Sequence, residues 1–279
     1  MRPRYGYLGP EATFTEAALR SLPETAGAEY VAYPSASAAL GAVRSGAVDA
    51  AMLPLENSVE GGVPATLREF VSDDPLQIVA EANLKVEFAL MGNPGARVHT
   101  IKQVFTHSHA HGQCRRWQRE WLPAAQFEST PSTAAAALEI AQRGGRDIAA
   151  IAAVVAAERY GLEVLASDIG DRANVVTRFV LLRRPGPLAP RTGADRTSIV
   201  AMASGDRPGW LVHVLDEFAS REVPVTRVES RPSGEGLGRY HFLIDCEGHA
   251  VDPQVRDALV SLALHCRAVR FLGSYPRGP

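Results

Sequence analysis

Apolar positions in the first half of the chain fall into short blocks that alternate between two periods. The segments "YGYLG" (5–9), "EYVAY" (29–33) and "DAAMLPLEN" (49–57) have the length and content of buried strands. Between them, "PEATFTEAALRSL" (10–22) and "SASAALGAVRSG" (35–46) carry helical spacing, with Ser35 as an N-cap and Gly46 as a stop. The stretch "GGVPATLREFV" (61–71) predicts another helix with Pro64 near its first turn. Further strands are predicted at 78–91, 102–106, 125–129 and 147–151, with helices near 109–121, 132–143 and 152–160. A last strand, 175–182, closes this part. Such alternation predicts α/β lobes built on parallel sheet. Two lobes joined by extended crossings enclose a cleft, and residues 174–180 are placed to run along its floor.

The pattern then breaks. "RRPGPLAPRTGADR" (183–196) holds three prolines, two glycines and four arginines, and reads as a linker. Beyond it the order becomes βαββαβ: strands at 197–204, 224–230, 238–247 and 268–275, helices at 208–221 and 252–266. That order within one short segment predicts a ferredoxin-like unit.

Composition narrows the function classes. The 279 residues are 46% hydrophobic and 22% charged, with a formal net charge of −2, so nothing draws the whole chain to nucleic acid or an anionic membrane. The three cysteines, Cys114, Cys246 and Cys266, are odd in number and lack metal-ligand spacing, which suits reduced thiols in a cytoplasm. The N-terminus lacks a signal-peptide core, and the most apolar run, "IAAIAAVVAA" (148–157), is too short to span a bilayer.

Candidate chemistry lies at the ends of predicted elements. Thr13 and Glu16 match a capping box, and the same helix N-terminus can present N–H groups to an anion. "LENSVEGGV" (55–63) places polar side chains and two glycines at a strand end, suited to an Asx turn or to close ligand approach. "THSHAHGQC" (106–114) has alternating histidines but no acid or cysteine at a metal-ligand spacing. "GEGLGR" (234–239) lies between two strands, the wrong place for a dinucleotide fingerprint. Most pointed is "NVVTRFVLL" (174–182), in which Arg178 interrupts an apolar strand. A buried guanidinium needs a partner, and an anionic substrate in the cleft is the expected one.

Taken together, "GPEATFTEAAL", "LPLENSVEGGV", "HGQC", "YGLEVLASDIGD", "NVVTRF" and "VESRP…GRYHFLIDCEGH" resemble, in order and spacing, the bacterial prephenate dehydratases, over about residues 4–275. The resemblance implies a two-lobed, type II periplasmic-binding-protein-like α/β catalytic domain over 1–182, with lobe 1 about 1–76 and 175–182 and lobe 2 about 77–174. After the 183–196 linker it implies a ferredoxin-like ACT regulatory domain over 197–279. The implied activity is decarboxylative dehydration of prephenate to phenylpyruvate, with L-phenylalanine as allosteric effector and neither metal nor organic cofactor. Homodimers or homotetramers through the ACT domains are implied as well.

By the same resemblance, Thr177 and Arg178 are catalytic, with Glu60 as an alternative proton donor. Thr13, Phe14, Asn57, Ser58, Gly61, His107 and Phe179 line the substrate site. Gly209, Leu211, Glu229, Ser230, Arg231 and Pro232 bind phenylalanine. Two departures stand out: Ala12 replaces a usual glycine, harmless unless φ is positive, and Trp210 replaces an alanine beside the effector pocket. Because adjacent residues of a straight strand face opposite ways, Thr177 and Arg178 reach one substrate only if the strand twists there. Arogenate dehydration and a non-catalytic amino-acid sensor are the competing readings.

Overall fold

The computed structural model describes residues 2–72, 74–203 and 208–278. The chain runs through β1 (Arg4–Leu8), α1 (Phe14–Ser21), β2 (Glu29–Tyr33), α2 (Ala36–Ser45), β3 (Ala50–Asn57), β4 (Gly61–Gly62), α3 (Pro64–Glu69) and β5 (Gln77–Lys85). Next come β6 (Ala89–Gly92), β7 (Gln103–Thr106), α4 (Ser108–Gln113), α5 (Arg115–Trp121), β8 (Gln126–Ser129), α6 (Thr133–Arg143), β9 (Ile148–Ala152), α7 (Val154–Tyr160) and β10 (Glu163–Ala166). After β11 (Val176–Arg183), the C-terminal domain contains β12 (Asp195–Ala203), α8 (Trp210–Ala219), β13 (Val225–Pro232), β14 (Tyr240–Glu247), α9 (Pro253–Leu262) and β15 (Cys266–Pro276). Ser204, the end of a predicted strand, lies outside the described residues.

Three sheets result. The first has the order β2-β1-β3-β11-β5, with β4 paired to β3; the second is β10-β6-β9-β7-β8; the third is β13-β14-β12-β15. The two expected lobes and the βαββαβ unit are therefore present. The lobe boundary differs from expectation. The apolar run at 78–91 is two strands, because Lys85–Val86–Glu87 turns the chain out of the first sheet and into the second. Strand β5 pairs antiparallel with β11, so residues 77–85 belong to lobe 1. Two crossings, not one, floor the cleft, and the Val86 N–H donates to the Val175 carbonyl at 2.7 Å to tie them together.

Other elements also depart from the periodic reading. The helix expected at 109–121 breaks at Cys114 (φ −117°, ψ 14°). Strand β10 had no clear signal: it is short and pairs irregularly with β6. The linker is shorter than its composition suggests, because Arg183 completes β11 and Asp195 begins β12. Gly186 also fastens it to lobe 1, its N–H donating to Gln77 Oε1 at 3.0 Å.

Each face of the first sheet has its own core. Tyr7, Leu19, Met52, Phe179 and Leu181 pack under α1. On the other face Leu53, Val180 and Leu182 pack with α2 and with Val200, Met202, Leu243, Leu272 and Tyr275 of the C-terminal domain. That domain is therefore docked on lobe 1 through a shared apolar core, which drives the association. Gly273 makes the close approach possible. Its φ is +148°, and a Cβ there would run into the Ile78 carbonyl. Gly273→Ala is expected to destabilise the protein by about 1–3 kcal/mol, as overpacking does elsewhere; urea unfolding checks this.

Candidate active site

The carboxyl ends of β1 and β3 in lobe 1, and of β7 in lobe 2, carry the predicted polar residues, where α/β folds usually hold ligands. Thr13 caps α1: its Oγ1 accepts from the Glu16 N–H at 3.2 Å, while the Ala12 N–H donates to Glu16 Oε2 at 2.7 Å. The Thr13 half of the expected capping box is present, but Glu16 reaches past the cap to the N–H of the preceding residue. Among the described residues the N–H groups of Thr13, Phe14 and Thr15 have no protein acceptor. Ala12 does have positive φ, +62°. Its methyl lies in the core of lobe 2, which offsets the strain of a left-handed alanine.

Loop 9–14 is also where the lobes meet. The Tyr160 hydroxyl donates to the Glu11 carbonyl at 2.7 Å, and Arg159 Nε donates to Glu11 Oε2 at 2.6 Å. The rings of Phe14 and Phe88 meet edge-on at 5.9 Å. At another point Gln113 Nε2 reaches from lobe 2 to Glu60 Oε1 at 3.4 Å.

Thr177 and Asn57 form the centre of the site. They are paired across β11 and β3, and Asn57 Nδ2 donates to Thr177 Oγ1 at 2.9 Å. The amide orientation is determined, because Asn57 Oδ1 accepts from the N–H groups of Val59 and Glu60 at 2.9 and 3.1 Å. The Thr177 hydroxyl therefore accepts one bond, and its proton has no protein acceptor among the described residues. Gly61 follows, exposed at the start of β4, with φ +77°. Ser58 supports the strand: its Oγ accepts from the Val176 N–H at 3.0 Å.

His107 stands at the end of β7 as the cap of α4, its Nδ1 accepting from the His109 N–H at 3.3 Å. Burial first, and then His109, lower its pKa. In the neutral ring the proton therefore sits on Nε2. His111 instead stacks on Phe127 at 3.9 Å. Among the described residues no group of three or more His, Cys, Asp or Glu side chains could hold a metal ion.

Two expected residues are elsewhere. Phe179 is 2% exposed, buried under α1, and offers the cleft no ring. Arg178 turns away from the cleft altogether. Its Nε donates to Glu81 Oε2 at 2.6 Å, Nη1 to Asp245 Oδ2 at 2.6 Å, and Nη2 to the Tyr275 hydroxyl at 2.7 Å. β11 stays regular between Thr177 and Arg178, so the two side chains take opposite faces. The anion that Arg178 meets is the protein's own. Burial opposes its charge, but Tyr275, Asp245 and Glu81 outweigh this and raise its pKa.

Glu81 and Asp245 were not singled out from sequence, although an acid in the middle of an apolar strand is the same signal that marked Arg178. In the C-terminal domain Gly209, Trp210, Leu211 and Tyr240 line a cavity of about 370 Å³. Trp210 both lines it and anchors the fold, its Nε1 donating to the His265 carbonyl at 2.6 Å. Glu229, Ser230, Arg231 and Pro232 do not line this cavity; they sit on β13, at the edge of the third sheet.

Comparison with known proteins agrees with this architecture. The family model described as prephenate dehydratase matches residues 5–187, and the ACT domain model matches 197–264. A prephenate dehydratase of Mycolicibacterium vanbaalenii is 46% identical over 289 residues, spanning 99% of this chain and 92% of that protein. The chain belongs to the prephenate dehydratase family. A crystal structure of the Arthrobacter aurescens prephenate dehydratase in complex with L-Phe is 49% identical, with a TM-score of 0.91, covering 98% of this chain and 90% of that one. GqqA, described as a novel type of quorum quenching acylase, is 29% identical with a TM-score of 0.87, covering 99% and 98%. The last match shows that this fold alone does not decide the chemistry.

The placement of Arg178 gives a decisive expectation. Arg178→Ala takes from buried Asp245 its one close cation and leaves Glu81 with Arg196 alone, and is expected to cost about 3–5 kcal/mol in urea unfolding. A substrate anchor would instead raise KM at unchanged stability. Burial raises the Asp245 pKa, but Arg178 and then Arg227 outweigh it, leaving the pKa below the ordinary 3.8. The unfolded chain then binds the proton more readily, so this contribution is present above 3.8 and is lost as pH falls below it. Chemical unfolding of wild type and Asp245→Asn across that range should converge towards the acid end.

Proposed function

We propose that this chain is a prephenate dehydratase that releases water and carbon dioxide from prephenate to give phenylpyruvate. Thr177 carries the reading, because its hydroxyl is oriented by Asn57 while its proton is free to be donated. In the reaction the bond to the departing carboxylate breaks and its electrons enter the ring. The C–O bond at the 4-position breaks, and the leaving oxygen accepts a hydrogen bond or proton. Thr177 acts on that oxygen; placed acid assistance is worth roughly 10²–10⁴-fold. Glu60, the alternative donor, is exposed on the turn whose N–H groups Asn57 Oδ1 holds.

With Arg178 committed elsewhere, the N–H groups of Thr13, Phe14 and Thr15 at the N-terminus of α1 are the donors proposed for a substrate carboxylate. The His107 Nε2–H supplies a donor from lobe 2. Phenylalanine is the proposed effector, in the cavity beside Trp210, and assembly uses the open edge of β13. No described helix is long and apolar enough to cross a membrane. The cytoplasm is the proposed compartment, in keeping with three buried free cysteines.

The test is turnover of prephenate, read as phenylpyruvate in alkali. Thr177→Ala is expected to lose at least about 100-fold in kcat, Thr177→Ser to keep much of it, and phenylalanine to lower the wild-type rate. An unchanged Thr177→Ala rate removes the proton-donor role. Preference for arogenate would change the substrate, and inertness towards both would leave the sensor reading.

A further inference from the structure

Two consecutive pairs occupy β3 and β11: Asn57 opposite Thr177, and Glu56 opposite Arg178. The register skips Leu55, and this bulge lets Glu56 join Arg178 on the ACT face while Asn57 stays with Thr177. Glu56 Oε2 lies 3.9 Å from Arg178 Nη1 and 3.4 Å from Nε of Arg227, which belongs to β13 of the ACT sheet. Arg227 is buried, yet its Nε makes no hydrogen bond, and its other contacts are long: 3.5 Å to Glu229 Oε2 and 3.9 Å to Asp245 Oδ2. A cavity of about 220 Å³, lined by Glu56, Arg178, Arg196 and Arg227, leaves these groups room to move.

The second contact is at Gly62, which pairs with Glu56. A Cβ there would come within 3.0 Å of both Arg227 Nη2 and Glu229 Oε2, and within 2.6 Å of Leu67 Cδ1 in lobe 1 itself. Strand β13 therefore touches the Asn57–Gly62 loop at a side chain and at the backbone. The Arg178 bonds are short and saturated, whereas those of Arg227 are long and incomplete. One junction is a fixed anchor, the other a joint that small displacements can tighten or break.

We propose that Glu56 is a positioning residue: held by Arg227 of the ACT sheet, it sets where Asn57 holds Thr177, so that movement of β13 is felt at the reacting hydroxyl. The inference rests on the dehydratase reading and adds to it the route between regulation and chemistry. Glu56 touches no reacting atom. It acts through its chain neighbour, and displacements well under 1 Å at such a site already matter.

The test compares full-length wild type, Glu56→Gln, Arg227→Gln and the double variant. Each single change is expected to lower kcat about 3–10-fold with KM within about twofold, the double no worse than the poorer single, and Arg227→Lys to recover most of the loss. Phenylalanine at half-inhibition should move at least about threefold in Arg227→Gln. Additive losses, or wild-type kinetics in both singles, overturn the proposal. Where Arg227→Gln folds poorly, Glu56→Gln alone carries the test, because it weakens the same contact from the lobe 1 side. Hydrogen exchange at the Val59 and Glu60 amides, which donate to Asn57, reads the positioning without turnover. Faster exchange in Glu56→Gln and Arg227→Gln is expected, and unchanged exchange overturns the proposal. Wild type inert towards prephenate, with those amides responding as expected, faults the dehydratase reading alone.

Discussion

The guanidinium of Arg178 is the constraint on which the assembly of this chain depends. Three of its nitrogens donate to Glu81 of the catalytic domain and to Asp245 and Tyr275 of the ACT domain. Glu81 also accepts from Arg196 Nη1 at 2.7 Å, and Ser198 donates to Asp245 Oδ1 at 2.6 Å. Neither domain can satisfy the cluster alone. Removing Arg178 leaves buried Asp245 without a close cation, which costs far more than the intact network contributes. The domains are therefore held in one relative position by polar satisfaction as well as by the apolar core around Tyr275. The ACT sheet is part of the wall behind the active-site strand.

Strand alternation turns that constraint into chemistry. Because β11 stays regular between Thr177 and Arg178, fixing the arginine on one face fixes the threonine on the other. The bulge at Leu55 is the necessary correction on the neighbouring strand. Without it Asn57 would share the face of Leu55 and could not meet Thr177. A Thr-Arg-Phe run thus serves three surroundings in three residues: a cleft, a domain junction and a core.

How much of this the sequence shows depends on the range of the interaction. The caps at Thr13 and Ser35 and the stop at Gly46 are local, and the structure has all three. The βαββαβ order and the two α/β lobes were legible from period and spacing. Arg178 was legible as a residue needing a partner, but not which one, because Glu81 and Asp245 lie 97 and 67 positions away. Nothing local distinguishes a protein carboxylate from a substrate carboxylate. The break between β5 and β6 was hidden for another reason: Lys85–Val86–Glu87–Phe88 alternates charged and apolar residues with the period of a strand, so the chain reads as one strand through the crossing. Asn57 and Thr177 were readable through family resemblance, whereas Glu56 was only one of a polar cluster at a strand end and Arg227 was not singled out.

The two junctions of lobe 1 differ in strength, and this determines which of them can move. Lobe 2 meets lobe 1 through the exposed Arg159–Glu11 pair, one tyrosine hydroxyl, the Gln113–Glu60 contact, the Phe14–Phe88 rings and the Ala12 methyl. Exposed ion pairs of this kind contribute little. The ACT domain meets lobe 1 through a buried core and a saturated ionic cluster. Separating the lobes would cost fewer buried contacts than lifting the ACT sheet from lobe 1. A signal from the ACT domain must then travel by small shifts within lobe 1, along strands that are already hydrogen-bonded to Thr177. The loosely held contact between Arg227 and Glu56 lies on that path, beside Asn57 and Thr177, which a rigid-body rotation of the ACT domain could disturb only by breaking the Arg178 cluster.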